Sequence, residues 1–284
     1  MNDDNSAAAQ DLAGITDRAL ILAKDGQTDE AVALLTEASK SGYAAATFGL
    51  GLVADSAGSA EDASRWYQQA ADQGSSEAVF NLGVEAGDRG YASEAERWYE
   101  AAARSGHVRA MESLAAIALA RDDLASAERW FQQAVESGRV ELTYSLALVQ
   151  QDQGRHEQAV RSLWRAANAH DPRAMVLLGD IARQANEPEQ AEYWYGVGAA
   201  LHHGPALFGL GLTLADHGDY AGAEAAMVAA AEAGEKRAMG TLGALAESRK
   251  QTNEALGWYE RGAAGGDQES VEALRRLRGS GIVI

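Results

Sequence analysis

Cysteine is absent from this sequence of 284 residues. Its absence excludes a disulfide framework and any metal site built on thiolates. Proline occurs only three times, and β-branched residues are sparse, so a large sheet is not expected. Alanine, leucine, glutamate and arginine dominate instead, and these residues favour helix. The composition therefore predicts an all-α protein.

Long apolar runs are also missing. No stretch approaches the roughly 18 consecutive apolar residues that a membrane-spanning helix needs. The opening segment, MNDDNSAAAQ, has neither the basic nor the apolar region of a secretory signal. We therefore expect a cytoplasmic protein.

Positive charge is in short supply. Lysine and arginine together number 24 against 42 aspartates and glutamates, which gives a formal net charge of −18. A field of this sign repels phosphate backbones and disfavours nucleic acid as a partner. It favours basic partners.

Signatures of catalysis are missing as well. None of the six histidines stands in an HExxH arrangement, and no serine has a G-x-S-x-G context. The glycines follow no predicted strand, so they do not form a phosphate-binding loop. The sequence predicts no enzyme, no cofactor and no metal site, with a hydrolase as a remote alternative.

What the sequence does contain is a strict period of 32 residues. We take Gly74 as position 0 of one repeat and number the other repeats in the same way. Position 0 is glycine or histidine, position 8 is leucine, position 16 is Gly, Asp, Asn or Lys, and position 21 is always alanine. The alanines at position 21 are Ala31, Ala63, Ala95, Ala127, Ala159, Ala191, Ala223 and Ala255.

Each column predicts part of a helical hairpin. Glycine, asparagine and aspartate tolerate left-handed φ, so positions 0 and 16 are predicted turns. Lys250 at position 16 is the exception and predicts strain. Apolar residues between the turns recur at helical spacing. One hairpin cannot bury its apolar face alone, so about eight of them are expected to stack into one core.

The pattern resembles the tetratricopeptide and Sel1-like repeat families. Residues 174–200 (AMVLLGDIARQANEPEQAEYWYGVGAA) and 78–106 (AVFNLGVEAGDRGYASEAERWYEAAARSG) carry the resemblance. They share Leu-Gly, an alanine twelve residues later and an aromatic residue four beyond it. The resemblance covers about residues 11–279, although the period is shorter than in either family. It implies an α-solenoid, a right-handed superhelix of about eight helix-turn-helix repeats with a C-terminal capping helix.

An aromatic pair recurs at positions 24 and 25 of five repeats, for example Trp98 and Tyr99. A binding site used once does not recur in register, so we interpret the pairs as core or inter-repeat packing. Trp164 breaks the pattern because it stands at position 26. Either its helix is locally rotated or Trp164 is exposed as an interface anchor.

The first helix of the repeats has apolar residues opposite its core face. The resemblance implies that this face lines a concave groove where peptides bind. The alternative is that tight curvature packs these side chains against adjacent first helices. The predicted partner-binding residues, with Trp164 included, are Phe48, Leu52, Asp55, Phe80, Asn81, Val84, Glu112, Tyr144, Leu148, Trp164, Asp180, Arg183, Phe208 and Leu212.

The polar members of that set are mostly acidic. A protein or peptide segment with apolar anchors and interspersed Lys or Arg would complement them. The main prediction is thus a noncatalytic scaffold or adaptor. The alternative is a self-assembling structural protein that forms a homodimer.

The two ends differ from the middle. Residues 1–10 are predicted to be a disordered tail, residues 11–266 the solenoid, and residues 267–284 a capping helix with an apolar tail. For the final Ile282, Val283 and Ile284 three alternatives stay open: folding back, docking on a neighbouring copy, or remaining loose.

Overall fold

The chain is helical throughout the range that is described. The computed structural model describes residues 2–279, and the side chains of residues 10–278. Within residues 2–279 there are seventeen α-helices and one short 3-10 turn, with no strand. The predicted α-solenoid of helix-turn-helix repeats is confirmed.

The helices form two compact units, the first ending at Arg139 and the second starting at Val140. The first unit contains α1 (Asn2–Lys24), α2 (Thr28–Lys40), α3 (Ala44–Ser56), α4 (Ala60–Asp72), α5 (Ser76–Asp88), α6 (Ala92–Arg104), α7 (Val108–Ala120) and α8 (Leu124–Glu136). The second contains the 3-10 turn Val140–Leu142, α9 (Thr143–Asp152), α10 (His156–Asn168), α11 (Pro172–Gln184), α12 (Pro188–Ala200), α13 (Gly204–Asp216), α14 (Tyr220–Glu232), α15 (Lys236–Ser248), α16 (Thr252–Ala264) and α17 (Gln268–Gly279).

The division between the units falls where one repeat is irregular. In the other first helices position 4 is a small residue such as Ala110 or Ala174, and both of these are fully buried. Leu142 stands there in the fifth repeat and is too large for such close backbone approach. The chain makes a 3-10 turn over Val140–Leu142, and α9 has ten residues where most helices have thirteen.

The turns follow the predicted period. Positive φ occurs at all the predicted turn positions, which are held by eleven glycines and by Asp122, His170, Asn186, His202 and Lys250. Lys250 has φ of 59°, which is the left-handed conformation that a residue with a Cβ adopts at a cost. A turn of this kind every sixteen residues ends each helix before the next begins.

The core consists of small and branched residues that recur at fixed repeat positions. Every alanine at position 21 is buried, and so is nearly every leucine at position 8. Glycine at position 9 lets a tyrosine ring lie directly on the first helix, as Gly179 does for Tyr195. Contacts of this type hold the two helices of one hairpin together, and consecutive hairpins pack side by side within each unit.

The aromatic pairs pack between repeats, as predicted. Trp66 and Trp98 each contact the buried cluster of the preceding hairpin, and they are only half-buried. Trp194 is more enclosed, with 5% of its surface exposed. The tyrosine or phenylalanine that follows is usually the more deeply buried partner, as Tyr195 shows.

The two ends differ in how they compare with the predictions. Helix α1 begins at Asn2, so helix covers most of the predicted disordered tail at 1–10. Alanine in this stretch favours helix. Helix α17 is the predicted closing helix. Ile282, Val283 and Ile284 lie outside the described residues.

Candidate interaction surface

The predicted partner-binding residues lie on two different faces of the hairpins. All of them except Trp164 belong to first helices, at repeat positions 6, 7, 10, 13 or nearby. We call these side chains the first-helix surface. Trp164 lies on α10, a second helix.

The ring at position 6 is not an open anchor. Phe80 is only 5% exposed. Its ring stacks on His107 with 4.6 Å between centroids and packs against Tyr99 at 5.5 Å. The guanidinium of Arg109 lies 4.9 Å above the same ring. Phe80 therefore follows the packing alternative, because residues of its own and the next hairpin cover it.

An arginine from the following hairpin covers two of the other three position 6 rings in the same way. Arg173 lies 4.5 Å from the centroid of Tyr144, and Arg237 lies 4.6 Å from that of Phe208. Both rings are half-buried. Phe48 is half-buried too, and it packs on Tyr67 at 5.6 Å. Three of the four rings are thus half-buried and Phe80 is buried, so both sequence alternatives apply in part.

The 32-residue pattern does not predict that arginines cover the position 6 rings. Arg109, Arg173 and Arg237 stand at position 3 of alternate repeats, so they recur every 64 residues rather than every 32. That longer period is the signal that could have identified them. Arg173 and Arg237 also form ion pairs with Asp171 and Glu235, the residues that cap their own helices.

The position 10 column is the more accessible part of the surface. Val84 is 36% exposed and Leu148 is 37% exposed. Leu52 and Leu212 are half-buried against the neighbouring clusters of their own units. A ligand on the first-helix surface would therefore meet position 10 before the rings at position 6.

In the first unit four of the predicted residues line one cavity of about 420 Å³. They are Asp55, Phe80, Asn81 and Val84. Residues that the sequence did not single out complete the wall, namely Ala60, Ala63, Tyr67, Glu85, Asp88, Arg89 and Arg109. We call this space the α3–α5 cavity, because most of its charged lining comes from those two helices.

Tyr67 joins the core to this cavity. The residue is only 4% exposed, and its buried hydroxyl donates to no acceptor among the described residues, although the Asn81 side chain lies close enough to hydrogen-bond it. Burial raises the pKa of Tyr67; the Asn81 side chain opposes that change, and the Asp55 and Glu85 carboxylates add to it. A tyrosine that sequence analysis assigned to packing alone thus also brings a polar group to the cavity.

The charges around the cavity are unevenly paired. Glu85 forms an ion pair with Arg89 at 2.5 Å and accepts a hydrogen bond from Ser64. Asp55 and Asp88 have no ion pair and accept no side-chain hydrogen bond within the part of the chain that is described. Two exposed carboxylates at the opening of the α3–α5 cavity therefore have no ion-pair partner among the described residues.

Elsewhere the polar residues of the first-helix surface are satisfied internally. Asp180 accepts a hydrogen bond from the Tyr195 hydroxyl at 2.5 Å, and burial together with this carboxylate raises the pKa of Tyr195. Arg183 pairs with Asp216 at 3.3 Å, and Glu112 pairs with Arg139 at 2.8 Å.

Trp164 is exposed, which decides between the two alternatives left open by the sequence. It is 45% exposed and packs edge-on against Trp194 with 4.5 Å between centroids. Tyr193 also packs edge-on against Trp194, with 5.1 Å between centroids, and is 60% exposed. We call Trp164, Tyr193 and Trp194 the second-helix patch, which is separate from the first-helix surface.

No group of three or more His, Asp or Glu side chains within residues 10–278 is arranged to hold a metal ion. No helix of the described segment is long and apolar enough to cross a membrane.

Comparison with known families identifies the repeat. The model of the tetratricopeptide repeat family matches residues 16–78, 80–140, 144–207 and 208–270, so the four matches cover most of the sequence. The chain belongs to the tetratricopeptide repeat family. A search of the curated proteins found no match.

Solved structures with this tetratricopeptide repeat architecture include Sel1-like proteins. The chain is similar to a protective antigen of uropathogenic Escherichia coli strains that displays an SLR fold, with a TM-score of 0.69 and 22% identity. That alignment covers 94% of this chain and 65% of the other, so the chain spans less than two thirds of that protein. A Sel1 repeat protein from Oxalobacter formigenes gives a TM-score of 0.66 at 23% identity, covering 94% of this chain and 89% of that one. Yeast Tom70 gives 0.55 at 12% identity, covering 93% and 64%. These likenesses establish the fold.

Proposed function

We propose that this tetratricopeptide repeat protein is a noncatalytic scaffold that binds a peptide segment of a partner along its first-helix surface. Repeats of the tetratricopeptide and Sel1 type are generally protein-interaction scaffolds. The surface offers apolar side chains at position 10 and charged side chains around them. These two kinds of side chain can contact the apolar and the charged residues of a peptide. The sequence predicts no catalytic group of residues on this surface.

The observation that carries the proposal is the α3–α5 cavity. Asp55, Phe80, Asn81 and Val84 are all among the predicted partner-binding residues, and they line one opening of about 420 Å³. A cavity of this size accommodates one side chain of a bound segment, with Val84 exposed at its wall. Binding would extend from there along the position 10 column of the same unit.

The chemistry of the partner follows from charge. The chain has a net charge of −18, and two carboxylates at the cavity are unpaired. A segment with apolar residues for position 10 and basic residues between them is complementary to both features. Electrostatic attraction of this kind raises the rate of encounter and weakens as salt is added.

Val84→Arg tests the proposal, because it places a bulky cation in the cavity wall from an exposed position. We expect the variant to lose partner proteins that the wild-type chain retains in affinity capture from its native cells. Ile21→Arg is the matched control, since Ile21 is an exposed apolar residue of the same unit on α1. Circular dichroism should show unchanged helicity in both variants. Equal retention of all partners by Val84→Arg would remove the proposal.

A homodimer is the second candidate, and the second-helix patch favours it. Trp164 and Tyr193 are both large and exposed, and they lie beside Trp194 on one face. Exposed aromatic side chains are frequent anchors of protein interfaces. A second copy that covered this patch would leave the first-helix surface free.

Sedimentation at several protein concentrations tests the dimer. We expect a mass that rises with concentration for the wild-type chain and stays monomeric for Trp164→Glu. Tyr220→Glu, at an exposed tyrosine near the start of α14, controls for the added charge. A wild-type chain that is monomeric throughout would rule out the dimer and leave the scaffold proposal unaffected.

A further inference from the structure

The second-helix patch is part of a larger departure from the repeat pattern. Positions 19, 23, 26 and 30 of a second helix recur at helical spacing on one side of it, and we call these positions its outer face. In α4, α6 and α8 of the first unit, position 23 is always arginine and position 26 is glutamine or glutamate. All of these side chains are exposed. The outer face of these helices is therefore charged and solvated.

In the second unit three successive second helices lose most of this charge. At positions 23 and 26, α10 has Arg161 and Trp164, α12 has Tyr193 and Gly196, and α14 has Ala225 and Val228. None of these residues is buried, and the aromatic rings of Trp164 and Tyr193 are exposed. The three helices thus present an apolar strip that the described residues of the second unit leave open.

Helix α12 lies at the centre of this strip, because it comes between α10 and α14 in the order of the hairpins. Its outer face has an exposed ring, on Tyr193, beside a gap at Gly196. A Cβ added to Gly196 would meet no atom within 4 Å. A shallow depression at this place is lined by Glu189, Glu192, Tyr193, Gly196, Val197 and Ala200. A ring and a gap on one helix are complementary to the gap and the ring of a second copy.

A two-fold axis defines how two copies would meet, since it makes both bury the same surface. If the axis crosses the three helices in the plane of the interface, each helix packs antiparallel on its own copy. Position 23 then faces position 26 of the other copy, and position 19 faces position 30. Tyr193 fills the gap at Gly196 of the second copy. Arg161 faces Trp164 of the second copy, which allows a cation–π contact.

The charges on the outer faces agree with antiparallel packing. At positions 19 and 30, α10 has Glu157 and Asn168, α12 has Glu189 and Ala200, and α14 has Ala221 and Glu232. Each glutamate therefore faces an uncharged residue when the helices are antiparallel. Parallel packing of α12 on its own copy would set Glu189 against Glu189, and like charges across an interface are unfavourable. Two acidic chains can thus approach each other here without opposed carboxylates.

We propose that the outer faces of α10, α12 and α14 form a two-fold interface with a second copy of this chain, in which Tyr193 of each copy fills the gap at Gly196 of the other. The inference rests on the homodimer given above as the second candidate function, and it specifies the symmetry and the residues that meet. Each of the three helices has thirteen residues and is about 20 Å long. An interface of this extent is small, so we expect a dissociation constant in the micromolar range.

Other occupants match the outer faces less completely. An anionic membrane surface would be repelled by Glu157, Glu189 and Glu232, which lie on the same faces. A helix of another protein could cover the apolar strip. It would have to reproduce the ring, the gap and the charge pattern that a second copy supplies by symmetry.

Disulfide cross-linking tests the arrangement, because the chain has no cysteine of its own. Glu189→Cys and Ala200→Cys are prepared separately, mixed and oxidised. Positions 19 and 30 of α12 face each other in the proposed dimer, so we expect the mixture to give about tenfold more cross-linked dimer than either variant alone. Within either variant alone, the two introduced residues lie about 16 Å apart along the helix.

A pair of variants on α8 is the matched control for the cross-linking. Ala125→Cys and Glu136→Cys replace the same two residue types at the same repeat positions, 19 and 30, and both sites are exposed. They belong to the first unit. Their mixture should show only the cross-linking that random collision produces.

Gly196→Glu gives an independent measurement, because it places a charged side chain in the gap that Tyr193 is proposed to fill. An added Cβ meets no atom there, so the variant should fold with unchanged helicity. We expect its dissociation constant in sedimentation to rise about tenfold or more, since the new carboxylate would be buried against a ring. Gly14→Glu on α1 is the control, because Gly14 has equal room and belongs to the first unit. It should keep the wild-type dissociation constant.

The outcomes separate this inference from the proposals above. If the wild-type chain dimerises but the α12 mixture gives no more product than the α8 mixture, the dimer stands and the arrangement is overturned. The same holds if Glu189→Cys cross-links on its own, or if Gly196→Glu dimerises like the wild type. A wild-type chain that is monomeric at every concentration would overturn both the dimer and the arrangement, and would leave another protein as the occupant. The scaffold proposal is decided separately by Val84→Arg.

Discussion

At the scale of single residues, the close contact between glycine at position 9 and the tyrosine at position 25 sets the geometry of a hairpin. A Cβ added to Gly179 would lie 2.6 Å from a ring carbon of Tyr195. The ring has no room to move, because Tyr195 is fully buried and bound to Asp180. Close packing of this type makes one added methyl group costly.

Gly179→Ala should therefore destabilise the chain by about 1–3 kcal/mol, since overpacking forces a shift of ring or backbone. The midpoint of unfolding in urea measures the change. Gly257→Ala is the control, because it also lies within a helix and its added Cβ would meet no atom within 4 Å. We expect that control to gain about 0.5–1 kcal/mol from the better helix propensity of alanine. A midpoint in Gly179→Ala that is as high as in the control would contradict the packing described here.

Residue chemistry also shows where sequence reasoning stops. Tyr67 was correctly predicted as packing, since the period places it on the buried stripe. Its free hydroxyl was not predictable, because that depends on whether a neighbouring helix offers an acceptor. The burial of Phe80 was left open for a similar reason, because its cover comes from His107 and Arg109 of the next hairpin. A column of the repeat identifies a face, and only contacts across repeats determine burial.

At the scale of the helix, the caps vary more than the helices do. His107 is the N-cap residue of helix α7, and its Nδ1 accepts a hydrogen bond from the backbone N–H of Ala110 at 3.3 Å. Protonation of Nδ1 would remove the acceptor and put a positive charge at the positive end of the helix dipole. Burial lowers the pKa of His107; Glu77 opposes that change and Arg109 adds to it.

This cap predicts a pH dependence with a definite sign. The folded chain holds His107 neutral, so its contribution to stability is complete above the ordinary histidine pKa of about 6.5 and is lost as pH falls through the lower folded value. The free energy of unfolding in urea between pH 7 and pH 5 should fall less steeply in His107→Asn than in the wild-type chain. Asparagine keeps a capping oxygen and does not titrate.

His156→Asn is the control for that experiment, because His156 is exposed at the start of α10. It should keep the wild-type slope. If His107→Asn also keeps it, the histidine cap has no role in the response to acid. Absolute stability is not the measure here, since His107→Asn also loses the ring that stacks on Phe80.

At the scale of the whole chain, the period accounts for what could be predicted. The turn positions, the buried alanine column and the all-α fold all follow from a 32-residue pattern that is sustained along the sequence. The division at Arg139 and Val140 did not follow from it, although Leu142 marks the irregular repeat. A regular pattern predicts regular structure well, and exceptions depend on side-chain volume at a single position.

A chain built this way should tolerate the loss of one entire repeat. Deleting residues 172–203 removes α11 and α12 and keeps every remaining residue at its repeat position. Because hairpins contact mainly their neighbours, we expect unchanged helicity per residue and a cooperative melt, at a lower temperature because Tyr144 loses the cover of Arg173. Deleting only residues 172–187 removes α11 and leaves two second helices in succession, so that variant should aggregate or lose helicity. Circular dichroism and size-exclusion chromatography compare the two. Similar loss of structure in both would contradict a repeat-by-repeat architecture.

The arginines over the position 6 rings imply that hairpins can be added to this chain only two at a time. Arg109, Arg173 and Arg237 alternate with Glu77, Glu141 and Pro205 at the same repeat position. Adding one hairpin between Tyr144 and its arginine would set a ring against the wrong neighbour, whereas adding two would restore the match. An engineer who lengthens this protein should therefore insert 64 residues at a time. Such a block of two hairpins includes both a position 6 ring and the arginine that packs over it.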